Sequence, residues 1–141
     1  IELDPAAAQL AVQNISDNAL TAQIICGDLR ERTYIPSDSM QLVISNPPYF
    51  RQGSGKSGGS FRMDMTCSVE ALCGTASRIL RSGGRFAVVF RAERLADLIC
   101  AMRSVNIEPK RLQFLAHPQK MPYGVLLEGV KHGGVGLDLL Y

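Results

Sequence analysis

Runs of strand character and stretches of helical period alternate along this chain, and that alternation restricts its fold more than any other feature. Ile1-Glu2-Leu3 reads as the end of a strand, since Asp4-Pro5 supplies a helix N-cap and a first-turn proline ahead of Ala6 to Ile15. Thr21 to Cys26 is a short β-branched run closed by Gly27-Asp28, and Gln41 to Ser45 is another, closed by Asn46-Pro47-Pro48. From Thr66 a helical period follows, with Val69, Leu72, Cys73, Ala76, Ile79 and Leu80 at steps of three and four until Ser82-Gly83-Gly84. Arg85 to Phe90 is the next strand, and its unbroken apolar stretch Phe86 to Phe90 predicts cover on both faces. Arg91 to Ser104 returns to helix, with Leu95, Leu98, Ile99 and Met102 on one stripe. Arg111 to Leu115 and Val125 to Val130 are strands whose connection has no room for a crossover helix, so they pair antiparallel. Lys131 to Tyr141 is Gly-rich and reads as weakly structured.

The pattern predicts an α/β domain built on a mostly parallel sheet with a C-terminal antiparallel hairpin. Ligands of such sheets sit at the C-terminal strand edges. Glu2, Asp28 and Asn46 each fall at such an edge, so they are expected to face one crevice although far apart in sequence. Residues 51–60 contain no apolar anchor, and 51–64 is expected to form a mobile loop on the substrate side.

A chain of 141 residues with 46% hydrophobic side chains suits a single domain around one core. No apolar run approaches the roughly 18–20 residues of a membrane span, which makes a cytoplasmic location the expectation. Lys and Arg number 15 against 13 Asp and Glu, a net +2 that neither requires nor excludes a nucleic-acid partner. Placement says more than the total, because Arg51, Lys56 and Arg62 flank the Gly/Ser-rich segment beside Asn46-Pro47-Pro48-Tyr49. The cysteines at 26, 67, 73 and 100 form no C-x-x-C pair, and Cys26, Cys73 and Cys100 lie in apolar runs, so the cysteines read as reduced core or near-core residues. His117 and His132 are isolated in turn-like settings, so no metal is implied.

Five segments together resemble a known family: Ile1-Glu2-Leu3-Asp4-Pro5, Gly27-Asp28-Leu29, Ser45-Asn46-Pro47-Pro48-Tyr49-Phe50, Leu80 to Phe86, and Arg91-Ala92-Glu93-Arg94-Leu95. They resemble the class I S-adenosylmethionine-dependent N-methyltransferases, and most closely those that N6-methylate adenine 37 of a valine tRNA. The resemblance implies S-adenosylmethionine as cofactor and RNA, in particular tRNA, as partner. It implies Glu2 as ligand of the cofactor ribose, Asp28 as acceptor for the adenine amino group, and the Leu29 N–H as donor to the adenine ring.

It also implies Asn46, Pro47, Pro48 and Tyr49 as the catalytic motif, with Asn46 bordering the cofactor as well. The lone pair of an adenine N6 is delocalised into the ring and poorly nucleophilic. The Asn46 side-chain oxygen and the Pro47 carbonyl each accept one amino hydrogen and hold the nitrogen in line with the sulfonium. Pro47 and Pro48 restrict φ and lack N–H groups, which preorganises that turn. Tyr49 offers a face for base stacking, Phe50 lies beside it, and Arg51, Lys56 and Arg62 meet phosphates, with Arg91 and Arg94 extending that surface.

Members of the family begin with a strand and a glycine-rich turn for the methionine end of the cofactor. Neither precedes Ile1, so a longer parent protein is expected. The segment leading into the next helix reads Arg62-Met63-Asp64 where the tRNA-methylating relatives carry Arg-His-Glu. Glutamine N5-methylation of a protein release factor poses the same electronic problem at an amide nitrogen and is the alternative activity. A DNA amino-methyltransferase and a non-catalytic RNA-binding remnant complete the set.

Overall fold

In the computed structural model, residues 1–47 and 68–140 are described. They divide into two compact units, Ile1–Pro36 and Ser37–Tyr141.

The first unit is built on helix α1, Pro5–Asp17, which starts where Asp4 Oδ1 accepts from the N–H groups of Ala6 and Ala7 at 2.8 and 2.9 Å. Pro5 occupies the first turn, where its missing N–H costs nothing. The strands expected at Ile1–Leu3 and Thr21–Cys26 shrink to one parallel bridge between Glu2 and Cys26. Its bonds run from the Glu2 N–H to the Ile25 carbonyl at 2.9 Å and from the Gly27 N–H to the Glu2 carbonyl at 2.8 Å. Thr21, Ala22 and Gln23 are exposed and belong to no ladder among the described residues. Their β-branched character favours extended backbone, but a strand requires a paired neighbour.

The second unit is a five-stranded sheet with two helices. Its elements are β1 (Met40–Ser45), α2 (Val69–Ile79), β2 (Leu80–Arg91), a 3-10 turn at Ala92–Arg94, α3 (Leu95–Ser104), β3 (Ile107–Leu115), β4 (Gly124–Lys131) and β5 (Asp138–Leu140). Sheet order is β1-β2-β4-β3-β5. β1 runs parallel to β2, and β4 runs antiparallel to both β2 and β3, so β1, β2 and β3 share one direction. The mostly parallel sheet with a C-terminal antiparallel hairpin is therefore the architecture found.

Four boundaries differ from expectation for identifiable reasons. Helix α2 ends at Ile79 and β2 starts at once, with Ser82-Gly83-Gly84 lying inside the strand as a bulge where the register jumps between Met40 and Leu42. Gly83 has φ +76°, and a Cβ on Gly84 would lie 2.8 Å from the Arg81 carbonyl, so glycine here bends a strand as well as stopping a helix. Arg91 ends β2, and the helical hydrogen bonding begins as the 3-10 turn. β3 starts earlier than expected, at Ile107, with Pro109 tolerated beside an irregularity in its pairing with β4. The Gly-rich tail is ordered in part, since Asp138–Leu140 pairs parallel with β3.

Among the described residues, the core of the second unit lies on one face of its sheet. Phe86, Val88 and Phe90 of β2 are buried with Leu112, Val125 and Leu127 under Leu72, Cys73 and Ala76 of α2 and Leu98 and Met102 of α3. Burying each large side chain stabilises by about 1.5–3 kcal/mol. Among the described residues of the second unit, Ala87 and Val89 on the opposite face are only half-buried and Ile44 is 74% exposed, so this unit by itself covers one face of its sheet where cover on both was expected. The apolar run reads as two-sided because Ala and Val fill positions that more often carry polar groups. Cys73 is fully buried, whereas Cys26 and Cys100 are exposed and not core residues. Cys67 lies outside the described residues.

One buried charge closes the second unit. Lys131 at the end of β4 places Nζ 2.6 Å from Asp38 Oδ1 and 2.7 Å from the Leu80 carbonyl, joining the approach to β1, the start of β2 and the end of β4. Its ammonium holds the Asp38 carboxyl below the usual carboxylate range.

Candidate functional site

The residues singled out from the sequence fall in both units. In the first, Glu2 stands at the single bridge, with its backbone in both bridge bonds and its Oε1 accepting from the Asp4 N–H at 2.9 Å. That bond orients the carboxylate and commits Oε1. Asp4 itself is the helix cap.

Asp28 follows Gly27, over which the ring end of Tyr34 lies so closely that a Cβ there would require the ring to swing aside. The Asp28 carboxylate is gripped by Arg30, which the sequence reading passed over. Oδ1 accepts from the Arg30 N–H at 2.8 Å and from Nε at 2.9 Å, while Oδ2 accepts from Nε at 3.0 Å and from Nη2. These bonds hold the Asp28 carboxyl at about 2, well below the ordinary aspartate value. A two-residue spacing carries no charge-pair signal of the helical kind, and only the turn at Leu29-Arg30 brings the groups together. Leu29 is half-buried in that turn.

In the second unit, Asn46 and Pro47 leave the C-terminal end of β1, as expected from the sequence. Asn46 is exposed and Pro47 half-buried. Ser45 is in register with Val88 of β2, and Val88 with Leu127 of β4, so Asn46 emerges at the edge where β2 ends and β4 begins. Arg91 lies 3.5 Å from Glu93, and Arg94 Nε lies 3.0 Å from Asp97 Oδ2 with its guanidinium 5.6 Å from the centroid of Phe90. Both arginines at this edge are thus engaged by carboxylates. Pro48, Tyr49, Phe50, Arg51, Lys56 and Arg62, with the whole 51–64 loop, lie outside the described residues.

His132 Nδ1 is 3.1 Å from Ser82 Oγ, and His117 stacks on Tyr123. Among the described residues no three His, Cys, Asp or Glu side chains cluster as metal ligands, and no helix is long and apolar enough to cross a membrane.

Four co-directional strands, β1, β2, β3 and β5, with the antiparallel β4 inserted between β2 and β3, give the mixed sheet of a class I S-adenosylmethionine-dependent methyltransferase fold. Residues 1–105 match the family described as MTS, methyltransferase small domain, and the chain belongs to that family. Among curated proteins it is 27% identical over 126 residues to the tRNA1(Val) (adenine(37)-N6)-methyltransferase of Flavobacteriaceae bacterium (strain 3519-10), covering 79% of this chain and 54% of that one. It is 29% identical over 140 residues to the protein of the same name from Dickeya chrysanthemi (strain Ech1591), covering 95% and 55%. The chain thus spans about half the length of the curated relatives it matches. Among solved structures, one described as a predicted O-methyltransferase from Agrobacterium tumefaciens superposes with a TM-score of 0.74 at 21% identity, over 98% of this chain and 64% of that one.

Proposed function

We propose that the protein transfers a methyl group from S-adenosylmethionine to the exocyclic N6 of adenine in RNA, with tRNA as the substrate class and the cytoplasm as its location. The observation that carries this reading is the Asn46-Pro47 step at the C-terminal end of β1, with Asn46 exposed. The names of the curated relatives support the choice of an adenine in tRNA.

The donor set of the first unit suits the cofactor. Glu2 has one carboxylate oxygen committed to the Asp4 N–H and the other available to ribose hydroxyls. Asp28 serves the adenine amino group by sharing a carboxylate already fixed by Arg30, and the Leu29 N–H serves the ring. When bound, the cofactor supplies an electrophilic methyl group on a sulfonium.

The chain's own work is done on the amino group. The Asn46 side-chain oxygen and the Pro47 carbonyl each accept one amino hydrogen, which orients the nitrogen and raises its electron density. Tyr49 is the stacking partner of the base, Phe50 a further substrate contact, and Arg51, Lys56 and Arg62 the cations for phosphates. Pro48 keeps the turn stiff.

The test is tritiated-methyl transfer by the full-length protein into total tRNA and, in parallel, into a purified release factor, followed by nucleoside and amino-acid analysis. Label in N6-methyladenine is the expected result. Label in glutamine of a release factor would replace the substrate, and RNA binding without any transfer would make the protein non-catalytic.

A further inference from the structure

The connection between β3 and β4 carries an exposed aromatic pair. His117 and Tyr123 stack with ring centroids 5.2 Å apart and planes at 29°. Tyr123 is 59% exposed, and Met121 beside it is 87% exposed. The pair is held from below: the Tyr123 N–H donates to the Leu115 carbonyl at 2.9 Å, and the Lys120 N–H donates to the His117 carbonyl at 3.1 Å across Pro118-Gln119. Gln119 takes φ +59°, a left-handed conformation that costs a non-glycine residue and is kept where the surrounding geometry requires it. Lys120 pairs with no carboxylate among the described residues, and residues 116–123 contain no acid.

Topology puts this loop on the reacting edge. β4 runs opposite to β1 and β2, so its first residue, Gly124, pairs with Arg91 at the edge where β2 ends. Asn46, one residue past the Ser45–Val88–Leu127 row, stands two strand spacings from β4, about 10 Å. Tyr123 lies three residues further along, about 10 Å beyond the level of Asn46. That separation exceeds the reach of a single base and suits a neighbouring nucleotide of the same strand.

We propose that His117, Lys120 and Tyr123 form a second contact surface for single-stranded RNA, in which the stacked rings receive a base flanking the target and Lys120 receives a phosphate. Flat rings open to solvent beside an unpaired cation are what a single strand recognises, whereas a polypeptide requires a groove or a free strand edge. The surface deepens the RNA reading above and rests on its substrate class alone.

The test uses the full-length protein with S-adenosylhomocysteine and a fluorescein-labelled single-stranded RNA octanucleotide, read by anisotropy. Tyr123→Ala is expected to weaken RNA affinity about tenfold and Tyr123→Phe less than threefold, with S-adenosylhomocysteine affinity unchanged in both. Lys120→Ala is expected to reduce the slope of log affinity against log salt by about 0.7. RNA affinity of Tyr123→Ala within twofold of the unaltered protein overturns the proposal, as does a Tyr123→Phe loss as large as that of alanine. Should Tyr123→Ala also lose S-adenosylhomocysteine binding, and with it a sound fold, His117→Ala and Lys120→Ala decide: full RNA affinity in both overturns the surface, and loss in either supports it. N6-methyladenine in tRNA is measured separately. Its absence alongside the expected binding losses would end the adenine reading and leave this surface standing.

Discussion

Arg30 and Asp28 form a fork-to-fork ion pair across a single turn, with Nε 2.9 Å from one carboxylate oxygen and 3.0 Å from the other. The depressed carboxyl means that the contribution of the pair to stability is complete above the ordinary aspartate value near 3.8 and is lost as pH falls through about 2. Arg30→Ala is expected to return the Asp28 titration towards 3.8, followed by carbon NMR of the Asp28 carboxyl. A signal still titrating near 2 in the variant would mean that another group holds the charge.

Asn46→Ala in the full-length protein is expected to lower turnover by about 100-fold or more, with cofactor affinity within a few-fold, because the lost bond orients the amino nitrogen. A methylation assay and calorimetry measure the two halves. Near-normal turnover would remove Asn46 from the reaction.

Glu2→Ala is expected to weaken S-adenosylhomocysteine binding by about 1–3 kcal/mol through loss of charge-assisted hydrogen bonds, with less effect on turnover at saturation. Calorimetric titration decides this. An unchanged affinity would place the ribose elsewhere.

Lys131 and Asp38 share one ion pair but not one consequence. Asp38→Ala removes an exposed carboxylate and leaves the buried Lys131 ammonium its bond to the Leu80 carbonyl, so it is expected to cost less than Lys131→Ala. Lys131→Ala strips the Leu80 carbonyl of its donor and is expected to cost about 1–3 kcal/mol. Urea unfolding of both variants measures the difference, and equal costs would refute the asymmetry.

The architecture was readable because strand and helix leave different periods, and because Asp4-Pro5 and the short 116–123 connection carry local chemistry with one structural meaning. The extended run at Thr21–Cys26 misleads, since residue type signals a backbone conformation and says nothing about a neighbour to pair with. β5 is hidden for the opposite reason: three exposed residues become a strand only because β3 has an edge to offer. Within the site, the position of Asn46 at a strand end follows from pattern alone. The Arg30 grip on Asp28 and the burial of Lys131 do not, because a basic side chain is by default solvated and only the folded chain selects its partner.

The antiparallel run of β4 has a consequence for how this scaffold can diversify. Leu115 and Gly124 close the β3–β4 ladder face to face, so residues 116–123 can be lengthened, shortened or exchanged without moving the register of any core residue behind them. On the proposed RNA reading, a loop grafted from a relative would change what the hairpin tip contacts and leave the strand end at Asn46 as it is, making the tip an interchangeable part and the strand end the fixed one.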